Sequence, residues 1–149
     1  MPVLQTARFN LPLLVVSQAQ KEVTHNEALV RIDALLHAMV ESVLSIPPTL
    51  NESDIGKCWL IDSGAIGDWA GKSGQLAIWT GNDWRFIDPI DGMRLRLKDE
   101  KSDAVFDGHN WVFAPIINTP SGGNVIDVEV RQALSSLLEH LRSTGCVTR

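Results

Sequence analysis

Tryptophan is the residue type in this chain that most favours ligand binding. The 149 residues include five tryptophans and no tyrosine. Tryptophan rings stack on sugar rings, and neighbouring Asp or Asn side chains can hydrogen-bond the sugar hydroxyls. Four of the five lie in strand-like patterns, where we predict that they fill a small core: Trp59, Trp79, Trp84 and Trp111.

The fifth tryptophan, Trp69, lies in a glycine-rich loop, flanked by Asp68 and Lys72. A tryptophan in such a loop is typical of a ligand or partner contact. The alternative is that Trp69 pins its own loop to a sheet. With the loop residues, the turns of two predicted hairpins complete the candidate ligand-binding set: Asn82, Asp83, His109 and Asn110.

The sequence contains no self-sufficient catalytic motif. A glycosidase needs two carboxylates about 5 to 10 Å apart, but the carboxylates at 83, 88 and 91 fit turns. The Gly-Lys-Ser run at 71–73 lacks the spacing and the strand–loop–helix context of a phosphate loop. We predict no catalytic residues, and a small hydrolase is the least favoured of three functional hypotheses.

The histidines are scattered. His25 lies on a predicted helical face, where copies around a symmetry axis could hold a metal or form a polar layer that sets helix register. The polar layer is the simpler account, because no second histidine lies one turn away. We predict no metal and no cofactor.

The charge and cysteine content exclude several classes of protein. The net charge of −5 is spread along the chain, so we expect no nucleic-acid partner. Cys58 and Cys146 are far apart in sequence, and we expect both to be reduced. The apolar run at 11–16 is too short to span a membrane and lacks signal-peptide features, so we expect no membrane insertion and synthesis in the cytoplasm.

A long first helix follows from the spacing of apolar residues. We favour a capping box of Ser17 with Gln20 as its start over one of Thr24 with Glu27. The prolines at 47–48 place its end near Leu44. Steps of three and four residues form a heptad stripe, which we predict to be an oligomer seam: Leu29, Ile32, Leu36, Met39 and Val43.

Short strand-like runs follow at 57–62, 75–80, 84–88, 93–97, 104–106 and 111–114. Residues 77–86 align without gaps on residues 104–113, with Ala, Gly, Trp and Phe identical at matched positions. Gly81 and Gly108 supply the positive φ that a tight turn needs. The repeat therefore predicts two related hairpins in a compact antiparallel sheet or small barrel.

A final helix follows a linker rich in proline and glycine. Asp127 caps it, Glu129 suits its dipole, and Gly145 ends it. A second heptad stripe runs along it: Val130, Leu134, Leu137 and Leu141.

We predict an α+β fold with an N-terminal extended arm, a long helix, a small antiparallel β domain with two related hairpins, and a C-terminal helix. The predicted units are residues 1–50 (arm and oligomerising helix), 51–116 (β domain) and 117–149 (linker and helix).

Several runs resemble a known family. They are Ser17-Gln-Ala-Gln-Lys-Glu with Val23-Thr-His-Asn-Glu-Ala-Leu, then Asp33-Ala-Leu-Leu, Gly67-Asp-Trp-Ala-Gly, and Asp127-Val-Glu. The family is an uncharacterised domain of tail-fibre and spike proteins in bacterial prophages and gene transfer agents. The resemblance implies a virion attachment component, with no catalytic residues to transfer.

The resulting expectation is a non-enzymatic structural or host-attachment module, a tail fibre, spike or adaptor, of a phage-like particle assembled in the bacterial cytoplasm. Its expected partners are two further copies of itself in a homotrimer, other virion proteins, and a host surface glycan. The alternative function is a carbohydrate-binding module that recognises host surface polysaccharide.

Overall fold

The computed structural model describes residues 4–14, 21–122 and 127–148. Two helices and two four-stranded sheets confirm the predicted α+β class, and all six predicted strands are present. The predicted cap at Ser17 with Gln20 lies outside the described residues. The elements are α1 Lys21–Leu35, β1 Met39–Val40, β2 Val43–Leu44, β3 Cys58–Ile61, β4 Leu76–Trp79, β5 Trp84–Ile87, β6 Arg94–Leu97, β7 Ser102–Phe106, β8 Trp111–Phe113 and α2 Val128–Thr144.

The first helix is shorter than the sequence pattern predicts. It ends at Leu35 rather than near Leu44. Leu36 lies in a turn, Met39 in β1 and Val43 in β2. A single helical stripe that includes these residues is therefore wrong, because three of its five members lie outside the helix.

The N-terminal arm fixes the end of α1. The guanidinium of Arg8 donates hydrogen bonds to the carbonyl oxygens of Asp33 at 2.9 Å, Ala34 at 2.7 Å and His37 at 3.0 Å. Carbonyls in the last turn of a helix lack partners within it, and a cation there also complements the helix dipole. His37 then takes φ +49°, and the chain enters β1, where Val40 is fully buried.

A buried carboxylate holds the arm against α1. Asp33 is 3% exposed and accepts hydrogen bonds from the Thr6 hydroxyl at 2.6 Å and the backbone N–H groups of Arg8 at 2.9 Å and Phe9 at 2.8 Å. Within residues 4–14 the arm folds back on itself through an antiparallel bridge. It differs in this respect from the extended arm that the sequence predicts.

The internal repeat forms two hairpins of the same register. Trp79 pairs with Trp84 across the first turn, and Phe106 pairs with Trp111 across the second. The two related hairpins are confirmed. Positive φ values of +102° at Gly81 and +92° at Gly108 explain the shared turn glycine.

The likeness extends to whole sheets. Sheet I has the strand order β2-β3-β4-β5, and sheet II has the order β1-β6-β7-β8. In each, a two-residue strand runs parallel to the first strand of an antiparallel meander. The parallel pairs are absent from the sequence prediction. The sheets differ in one loop: residues 62–75 connect β3 to β4, whereas residues 98–101 connect β6 to β7.

The two sheets stack in the same orientation. We call the face that carries the hairpin tryptophan the front of each sheet. The front of sheet II, with Leu95 and Leu97, packs on the back of sheet I, with Cys58 and Leu60, in one buried cluster. The front of sheet I is covered instead by loop 62–75.

The back of sheet II carries charges and receives the end of α2. Arg96, in the register position of Leu60, donates to Asp103 at 2.8 Å and to the Thr144 carbonyl at 3.1 Å. Gly145 has φ +81°, and a Cβ there would lie 1.5 Å from the Arg96 guanidinium. The predicted Gly145 end is confirmed, as is the predicted cap, with Asp127 accepting from Val130 N.

Both cysteines are free thiols, as predicted. Burial raises the pKa of Cys58 to about 12, whereas Cys146 is exposed. In the described part of the chain, neither helix has the length and apolar character needed to cross a bilayer.

We expect Asp33→Ala to lower the free energy of unfolding by about 3 kcal/mol, because it leaves the buried Thr6 hydroxyl and two part-buried N–H groups of the arm unpaired. Urea denaturation followed by circular dichroism measures the change. The matched control is Glu139→Ala, which removes an exposed carboxylate from α2 and should change stability by less than about 0.5 kcal/mol. Equal losses of stability in the two variants would contradict the role of Asp33 in holding the arm against α1.

Candidate functional site

Trp69 belongs to a tryptophan cluster on the front of sheet I that is centred on Trp84. The Trp69 side chain is fully buried, and its ring centroid lies 5.1 Å from that of Trp84. Trp84 in turn contacts Trp59 at 5.6 Å, in an edge-on arrangement, and Trp79 at 5.1 Å. Edge-on and tilted pairs at these distances are favourable for aromatic rings. Three of the four tryptophans predicted to fill a β core therefore pack together here, and Trp69 joins them.

The glycine-rich loop, residues 62–75, folds so that Trp69 points inward. The chain makes a 3₁₀ turn at Gly67–Trp69. Its ends are tied to sheet I by hydrogen bonds from Ile66 N to Ser45 O at 3.0 Å and from Gly74 N to Ile61 O at 2.8 Å. A fully buried ring offers no stacking face, so the ligand contact predicted at Trp69 is corrected. This residue pins its own loop.

The loop neighbours of Trp69 point elsewhere. Asp68 is exposed on the 3₁₀ turn. The Lys72 ammonium lies 5.4 Å from the centre of the Phe86 ring, in a cation–π contact. The structure therefore does not join Asp68, Trp69 and Lys72 into one binding surface.

The first hairpin turn engages its own carboxylate. Asp83 accepts hydrogen bonds from the Thr80 hydroxyl and from Arg85. These bonds, first that of Thr80 and then that of Arg85, hold the pKa of Asp83 below its usual range. Asn82 beside it is exposed. Since its carboxylate is already bound within the turn, Asp83 acts as a turn residue.

The second hairpin turn is built differently. Asp107 accepts hydrogen bonds from the backbone N–H groups of Asn110 at 2.7 Å and His109 at 2.9 Å. Both bonds, that of Asn110 being the larger cause, lower the pKa of Asp107. The side chains of His109 and Asn110 remain exposed. The turn thus holds its backbone with one carboxylate and leaves the next two side chains available.

His109 and Asn110 lie at the rim of a cleft of about 310 Å³. One wall is aromatic and belongs to sheet II: Phe106, Trp111 and Phe113. The opposite side comes from the end of β3 and both ends of the glycine-rich loop: Asp62, Ser63, Ser73 and Gly74. The structure therefore brings two of the predicted ligand-binding residues together and separates them from the other five.

Sequence reasoning missed most of this cleft. Its walls come from segments that are far apart in the chain, and the hydrogen bond from the Trp111 indole to the Gly74 carbonyl is one of the long-range contacts that join them. The repeat offers a partial signal, because Trp111 aligns with Trp84 but has no long loop from its own sheet to cover it.

The described residues include no cluster of three or more His, Cys, Asp or Glu side chains that could hold a metal ion. Most of the ionic contacts among the described residues are surface pairs, such as Lys98 with Glu41 at 2.9 Å. Such pairs contribute little to stability and do not make a reactive centre.

The sequence profile of one family matches residues 25–112, more than half of the chain. The chain belongs to the DUF2793 family. The family's description is a protein of unknown function. No curated protein matches the chain. The DUF2793 match takes in both sheets and most of α1, and it stops before α2.

We expect Trp69→Ala to destabilise the DUF2793 fold by about 3 to 5 kcal/mol, because it leaves a cavity under the loop. Trp69→Phe keeps an aromatic ring and removes an indole N–H that has no partner in the described residues, so its loss should be smaller. Chemical denaturation provides the comparison. Asp68→Ala is the exposed neighbour control, and a loss there as large as in Trp69→Ala would contradict the pinning role.

Proposed function

We propose that this DUF2793 protein is a non-enzymatic structural and host-attachment component of a phage-like particle, assembled as a homotrimer. Two kinds of support exist. One is the resemblance of its residue runs to tail-fibre and spike modules of prophages and gene transfer agents. The other, which carries the proposal, is the uncovered apolar face of α2.

Helix α2 presents its heptad stripe to solvent. Val130 is 60% exposed, Leu134 38% and Leu137 54%. Leu138, beside the stripe, is the buried residue of the helix. Apolar residues at alternating steps of three and four are the pattern of a coiled-coil seam. An exposed seam of this kind is costly in a single subunit and is covered when copies of the helix meet around an axis.

The residues flanking the stripe are compatible with such a seam. Ala133 and His140 lie on one side of it, and Arg131 and Leu138 on the other. Arg131 is already engaged with the carbonyl oxygens of residues 120 and 122. No pair of like charges therefore faces across the seam in a parallel trimer.

The surface after α1 is a second candidate contact. Ile32, Leu36 and Met39 are exposed by 47%, 41% and 37%, although they do not share one helix. Leu29 is half-buried, and Val43 packs against the subunit's own core. That these five residues form an oligomer seam stays a prediction, but they do not lie along one helix.

We expect Leu134→Asp with Leu137→Asp to convert a trimer into single chains of 16.4 kDa, since the charges would lie in the seam. Sedimentation equilibrium measures the mass, and circular dichroism checks that the subunit stays folded. The matched control is Gln132→Asp on the opposite face of α2, which should leave the trimer intact. A wild-type protein that remains a single chain at high concentration would contradict the proposal.

Leu36→Asp tests the second surface in the same way. We expect dissociation if the turn after α1 lies in the interface, because a carboxylate would replace an exposed leucine in an apolar contact. An unchanged mass would remove Leu36 from the interface and leave α2 as the seam.

A carbohydrate-binding module is the second candidate function. The cleft at the second hairpin turn favours it, because an aromatic wall faces polar side chains across a space open to solvent.

A further inference from the structure

We infer that the cleft beside the second hairpin binds a neutral hexose ring of a surface polysaccharide. The inference deepens the second candidate function by assigning its site and its ligand class. It rests on the shape, rigidity and charge of the cleft.

The aromatic wall of the cleft is held in place before any ligand arrives. The Trp111 indole N–H donates to the Gly74 carbonyl at 2.9 Å, which ties sheet II to the glycine-rich loop. The Phe106 ring packs against Trp111 with centroids 5.4 Å apart. Phe113 next to them is 41% exposed. A fixed, partly exposed aromatic surface is suited to the apolar face of a sugar ring, since little side-chain entropy is lost on binding.

The rim supplies both donors and acceptors. Asn110 offers an amide, and Ser63 and Ser73 offer hydroxyls. Asp62 offers its second carboxylate oxygen, since the first already accepts the Ser63 backbone N–H at 2.7 Å. Asp107 binds the backbone N–H groups of His109 and Asn110, whose side chains are exposed at the rim. An apolar ligand would leave these groups desolvated and unpaired, whereas sugar hydroxyls can pair with them.

The charge of the cleft selects among sugars. Asp62 contributes a carboxylate, and the described residues lining the cleft include no Lys or Arg. The whole chain carries a net charge of −5. A phosphate or a uronic acid would meet the Asp62 carboxylate with no lysine or arginine in the described lining to compensate it. A neutral hexose avoids this repulsion and can donate hydroxyl hydrogens to Asp62.

The test uses the full chain and NMR titration with methyl glycosides of glucose, galactose and mannose, and with glucuronate. The Trp111 indole N–H resonance reports on the cleft, and the buried Trp69 indole serves as an internal reference. We expect at least one neutral glycoside to shift the Trp111 signal and not the Trp69 signal, and glucuronate to shift neither.

His109→Ala and Asn110→Ala should each weaken this binding by about tenfold through the loss of hydrogen bonds. Phe113→Ala should weaken it through the loss of a stacking surface. The matched control is Asn82→Ala: Asn82 aligns with His109 in the repeat, and the structure places it outside the cleft.

Three results would overturn the inference. Binding of glucuronate alone would overturn the ligand class while retaining a glycan site. Equal weakening by Asn82→Ala and His109→Ala would overturn the location. No shift with any of these sugars would overturn the site and the second candidate function together. The sedimentation experiments on α2 report separately on the structural function, so the two failures are distinguishable.

Discussion

The six residues from 39 to 44 hold the two sheets of this protein in one stack. β1 pairs in parallel with β6, and β2 pairs in parallel with β3, with residues 41–42 between them. One continuous segment thus gives an edge strand to each sheet, and the hydrogen bond from Glu41 N to Cys58 O at 2.8 Å holds the crossing. The buried cluster between the sheets depends on this segment being extended, since Val40 is one of its fully buried members and Val43 packs against it.

That requirement explains where the sequence pattern misled. The steps from Leu36 to Met39 to Val43 satisfy a helical period, but the chain's partners at these positions are Arg96 and Leu60, far along the sequence. Helical periodicity reads local spacing only, and tertiary pairing overrides it. The ends of α2 were predictable because Asp127 and Gly145 act on their own helix.

The hairpins were predictable for the same reason. Each depends on a turn of four residues and on alternation along two adjacent strands, all of which are local. The stacking of one sheet on the back of the other was not, because a strand pattern does not specify which face meets which sheet. In the candidate site, His109 and Asn110 were found from their turn. For Trp69 two interpretations stayed open, because neither a loop position nor flanking charges report burial. The aromatic wall and the serines of the cleft meet only through the stack.

The duplicated sheets also explain the composition of the two ends of the stack. Where sheet I has Cys58 and Leu60 on its back, sheet II has Arg94 and Arg96. The first pair receives another sheet, whereas the second does not, and Arg96 instead anchors the last turn of α2. At the other end, the fifth tryptophan and its loop seal the front of sheet I.

Head-to-tail stacking is a contact that does not close on itself, and without stops it generates open filaments. A protein built from two copies of one self-complementary layer carries this hazard in its architecture. Arg94 and Arg96 at one end of the stack, and the glycine-rich loop at the other, oppose the addition of a further sheet. Each polypeptide therefore contributes two layers, and the charged back of sheet II and the covered front of sheet I both disfavour the addition of a third.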